Sequence, residues 1–108
     1  MAIEHVNTLS EKLLHRFDPV MVLLFGSYAK GNNHMDSGVD LCLVVEAETP
    51  EIRQQLEYEI EHFLYSEEDI LPVDVIVYSK QEWSENIGDP ASFATHILKD
   101  GVVLYERQ

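Results

Sequence analysis

The chain has 108 residues, 45% of them apolar, one cysteine, and a net charge of −13 from 20 acidic residues against 7 Lys and Arg. That length fits one domain with a modest core, and a single cysteine excludes an internal disulfide framework. The acidity opposes nonspecific binding of DNA or RNA, whose phosphates it repels. It leaves room for a basic protein partner, or for a nucleotide whose charge is met by Mg²⁺ and backbone N–H groups.

Residues 4–17 place Val6, Leu9, Leu13, Leu14 and Phe17 on one face of a helix. Asp18-Pro19 stops it, because a residue before proline avoids the α region. The apolar run 20–25 reads as a strand covered on both faces. Gly26-Ser27 breaks this strand, and residues 28–30 can form one helical turn before Gly31. Residues 32–38 read as a loop, and 39–45 as a second apolar strand interrupted only by Asp40.

Thr49-Pro50 is a helix start, with Thr as cap and Pro in the first turn. Ile52, Leu56, Ile60, Phe63 and Leu64 carry that helix to about residue 65, and residues 66–69 make an acidic turn. Residues 71–78 form a third strand, again apolar but for one buried-looking carboxylate, Asp74. Ser79-Lys80-Gln81-Glu82 is a capping-box pattern that opens a short helix. Asp89-Pro90 opens another, carrying Phe93, Ile97 and Leu98 toward a cap at Gly101, and residues 102–105 suit a last strand. Helices and apolar strands in this order imply one sheet with helices packed on it. The expectation is a single cytoplasmic domain over residues 1–108, with no secretory leader and no membrane span.

Two aspartates inside apolar strands need a partner, because a lone buried carboxylate is costly. Either one alone is explained as a cap at a strand end. Together they can converge on one cation, since Mg²⁺ takes hard oxygen ligands. Gly26-Ser27 adds a turn where the backbone can approach a ligand closely and where N–H groups and the Ser27 hydroxyl can hold phosphate. The five histidines lack metal-ligand spacing, and His34 alone lies near this presumed site in sequence. Cys42 reads as a small core residue, Lys30 as solvated, and Trp83 and Phe93 as core or interface anchors.

Gly26-Ser27-Tyr28-Ala29-Lys30-Gly31, then Asp36-Ser37-Gly38-Val39-Asp40-Leu41, then Val73-Asp74-Val75, together resemble the minimal nucleotidyltransferase family of the DNA polymerase β-like superfamily. The end of the chain, from Ile97 to Glu106, is also similar to the end of such proteins. The resemblance implies an α/β (α+β) fold with one mixed sheet. It also implies Mg²⁺-dependent transfer of a nucleotidyl group, AMP from ATP, onto a hydroxyl. Gly26 and Ser27 would hold the nucleotide phosphates, and Asp40 and Asp74 would be catalytic and bind metal. Many such proteins are antitoxins paired with a HEPN-domain toxin, which makes a tyrosine of that partner a candidate acceptor; a homo-oligomer stays open.

The family's two-metal site uses a further aspartate two residues before Asp40, where this chain has Gly38. Asp36 shares the alternating face but sits further along the strand than Asp40, too far for full substitution. The expectation is an incomplete metal site with weakened activity. The alternative is an inactive binding module that neutralises its partner by contact.

Overall fold

The computed structural model describes residues 2–26, 29, 38–67 and 73–107. In chain order these form α1 (Ala2–Phe17), β1 (Met21–Phe25), β2 (Val39–Val45), α2 (Pro50–Glu67), β3 (Val73–Ser79), α3 (Lys80–Ile87), α4 (Phe93–Asp100) and β4 (Val102–Glu106). Of the helical turn expected at residues 28–30 only residue 29 is described, and the acidic turn at 68–69 and the strand start at 71–72 lie outside the described residues. Helix α2 runs two residues beyond its expected end.

The strands form one mixed sheet in the order β3-β2-β1-β4. β1 pairs antiparallel with both β2 and β4, whereas β2 and β3 run parallel. Helices cover both faces. On one face, Val22, Leu24, Val39, Leu41, Leu43, Val45 and Val77 pack against Val6, Leu9 and Leu13 of α1 and Ile60 and Leu64 of α2. On the other, Met21, Leu23, Cys42 and Val44 meet Trp83 of α3 and Ala94 and Ile97 of α4. This double cover explains why β1 and β2 read as continuous apolar runs: alternate side chains enter different cores.

Local signals are realised where the sequence places them. The Ser79 hydroxyl accepts from the Glu82 N–H at 3.0 Å, and the Glu82 carboxylate accepts from the Ser79 N–H at 2.8 Å, completing the capping box of α3. Thr49 Oγ1 accepts from the Ile52 N–H at 3.2 Å at the start of α2. Ser92, missed as a cap in favour of Asp89-Pro90, accepts from the Thr95 N–H at 3.1 Å and starts α4 at Phe93. Asp18 leaves α1 in the left-handed region, with φ at 49°. Arg107 then ties the end of the chain to that corner through the Asp18 carbonyl and the Glu46 carboxylate.

Candidate active site

β1 delivers its last residue, Phe25, directly opposite Asp40 of β2, and the parallel register sets Asp40 beside Asp74 of β3. Facing residues of paired strands point to the same side. Leu23 and Cys42, two positions further in, belong to the core under α3 and α4. Phe25, Asp40 and Asp74 therefore share that helix-covered face, at the end of the sheet where the Gly26 turn begins.

Gly26 has φ at +77°, a region open to glycine at little cost. A Cβ there would stand 2.3 Å from Asp40 Oδ2. The Asp40 carboxylate thus occupies the space that any other residue at position 26 would claim, and this close approach is the tightest feature of the site. Gly26→Ala is expected to cost roughly 1–3 kcal/mol for the enforced left-handed backbone and to push Asp40 aside. The measurable result is a fall of several degrees in the thermal midpoint. An alanine variant as stable as the parent would contradict this geometry.

Burial raises the Asp40 carboxyl above its ordinary value, and the neighbouring Asp74 charge adds to the rise. Asp74 itself is exposed, against the buried appearance of its sequence, because β3 is the outer strand of the sheet beyond β2. A shallow cleft bordered by Glu61, Tyr65, Val73 and Val75 opens at Asp74. Gly38 stands immediately before β2, two residues from Asp40. Ser27 and Asp36, along with Lys30 and His34, lie outside the described residues. Of the sequence-derived site, the structure brings together Gly26, Asp40 and Asp74.

No group of three or more His, Cys, Asp or Glu residues arranged to hold a metal occurs among the described residues. Two adjacent carboxylates, one of them held at a cost by burial, fit a single Mg²⁺, which is commonly bound by one or two carboxylates plus substrate phosphates. They do not make a three-carboxylate set for two ions. Cys42 is a core residue, as expected: burial pushes its thiol up to about 12.

A second cleft, about 260 Å³, adjoins Gly26 and is lined by Phe25, Phe93, His96, Ile97 and Asp100. Sequence reasoning passed over His96 and treated Phe93 as an anchor. Only the packing of α4 on β1 brings them to the glycine turn.

Residues 6–102 match the family described as nucleotidyltransferase domain. The chain belongs to that family. No curated protein matches it closely enough to name a relative. Among solved structures, it is similar to a proposed nucleotidyltransferase from Sulfolobus solfataricus, at 21% identity and a TM-score of 0.64, over 94% of this chain and 78% of that one. It is also similar to a toxin–antitoxin structure with AMP-PNP, at 21% identity and a TM-score of 0.54, over 94% of this chain and 74% of that one. These likenesses establish the nucleotidyltransferase fold for the mixed sheet and its helices. No described helix of this nucleotidyltransferase-type domain is long and apolar enough to cross a membrane.

Proposed function

We propose that this domain binds ATP with Mg²⁺ at Gly26, Asp40 and Asp74 and transfers AMP to a hydroxyl on a partner protein. The reading rests chiefly on the Asp40 carboxylate lying against the Gly26 turn. A carboxylate so close to a phosphate-binding turn would repel phosphate unless a cation stood between them. Asp40 and Asp74 would hold that cation, and Mg²⁺ would supply charge neutralisation on the triphosphate. The Gly26 turn, with Ser27, would hold the phosphates.

Asp74 is exposed on the outer strand and would receive the acceptor. It would accept a hydrogen bond from the attacking O–H and align its oxygen on the α-phosphorus. The new bond is acceptor oxygen to α-phosphorus; the bond broken joins that phosphorus to the bridging oxygen, and pyrophosphate leaves with the electron pair. The acceptor proton passes to Asp74 or to solvent.

The toxin–antitoxin neighbour supports a protein partner, and the resemblance to minimal nucleotidyltransferases suggests the finer choice of acceptor, a tyrosine of a HEPN-type toxin. The net charge of −13 suits a basic partner surface. A second reading is supported by Gly38 and by the two-carboxylate site: an inactive antitoxin that neutralises the same partner by contact.

One experiment separates them. The chain is incubated with Mg²⁺ and the product of the adjoining gene, using ATP labelled on either the α- or the γ-phosphate. Transfer of the α-label alone, abolished when the acceptor tyrosine becomes Phe, is the expected result. Neutralisation of the partner with neither label transferred would overturn the transferase reading in favour of the binding module.

A further inference from the structure

The cleft beside Gly26 extends past the turn and carboxylates assigned to phosphate and metal, onto α4. Phe93, at the first position of α4, forms part of its wall. This ring meets Phe25 edge-to-face, with centroids 5.7 Å apart and planes at 87°, and it remains 52% exposed. The contrast with Trp83 is informative. Trp83 also meets an aromatic edge, that of Tyr78, but is only 6% exposed and belongs to the core. The α4 residues that anchor the helix are Ala94 and Ile97, so Phe93 is not needed to seat it.

Position and polarity together limit what can occupy this cleft. Phe25 stands across from Asp40, and its ring meets that of Phe93 edge-to-face. A ligand whose phosphates lie at Gly26 and Asp40 therefore adjoins the cleft directly, because Gly26 lines it together with Phe25 and Phe93. Asp100 on the rim disfavours a phosphate there, so the portion that enters is uncharged. The volume, about 260 Å³, falls just below the usual range of small-molecule sites, about 300–1,000 Å³. It suits a base with its sugar and is too small for a whole nucleoside triphosphate.

Resting on the nucleotide reading above, we propose that this cleft receives the nucleoside of the bound nucleotide. Phe93 is the stacking surface, and the Asp100 carboxylate accepts from the N–H or O–H donors of the base or sugar. His96, exposed on the turn of α4 between them, closes the rim.

The test compares two probes by calorimetry on the full chain, ATP with Mg²⁺ and inorganic tripolyphosphate with Mg²⁺. Phe93→Ala and Phe93→Leu should each weaken ATP binding about tenfold or more, the usual scale for loss of one base–aromatic stack. Tripolyphosphate binding should change less than about twofold. Phe93→Trp should restore ATP binding, because it returns a π-face. Equal weakening of both probes would assign Phe93 a structural role and overturn the proposal. Unchanged ATP binding in the leucine variant would overturn the cleft assignment while leaving the nucleotide reading intact. Failure of the parent chain to bind ATP would overturn both.

Discussion

Asp40→Asn is expected to remove Mg²⁺-dependent nucleotide binding and any transfer activity, by at least about 100-fold, while making the metal-free protein more stable near neutral pH. The two effects share one cause. Asp40 is partly buried, stands beside Asp74 in the parallel register, and has its carboxyl raised above 3.8 by burial first and by the Asp74 charge second. The folded protein therefore holds this proton more tightly than the unfolded chain does. Stability falls as pH rises from 3.8 through the raised value, and the penalty persists at higher pH. Asparagine carries no charge and escapes that penalty. In chelator, thermal melts of the variant and parent should converge as pH falls toward 3.8 and separate near pH 7, with the variant higher. With Mg²⁺ and ATP present the order should reverse, because only the parent gains stability from bound ligand. A variant less stable than the parent in chelator at neutral pH would mean that Asp40 has a cationic partner, which would remove the argument for a metal there.

The capping box at Ser79 and Glu82 and the Thr49 cap were readable because their partners lie within three residues. The apolar runs of β1 and β2 also identified their strands, since both faces of each are buried. The pairing was not readable: neither the parallel β2–β3 register nor the antiparallel β1–β2 register is encoded locally, and these are what set Asp40 beside Asp74 and Gly26. Asp74 exposes the same limit from another side. Val73-Asp74-Val75 looks like the centre of a buried strand, yet β3 lies at the sheet edge, so the same residues leave Asp74 open to solvent. An aspartate inside an apolar run marks a candidate ligand either way; strand order decides whether substrate can reach it. His96 and Phe93 gave no local signal, because the packing of a terminal helix on the first strand creates their cleft.

Gly38→Asp is expected to raise the apparent affinity for Mg²⁺ with nucleotide by about tenfold or more, and to convert binding of one ion into binding of two. Residues 38 and 40 alternate with residue 39, so a side chain at 38 would lie on the same side of the chain as Asp40. Their Cα atoms would be about 7 Å apart along an extended chain, within reach of ions held between two carboxylates. A third carboxylate beside Asp40 and Asp74 also adds like-charge repulsion when no metal is present. The variant should therefore melt lower than the parent in chelator and higher in saturating Mg²⁺ and ATP. That crossing distinguishes a new ligand from a generic stabilising change, which would raise both curves. The gain must also depend on Asp40. In the double variant with Asp40→Asn the added aspartate should contribute little, because the two residues act on the same ions and their effects cannot be additive. Independent, additive effects would place residue 38 away from the metals, and the incomplete site would then need another explanation than its glycine.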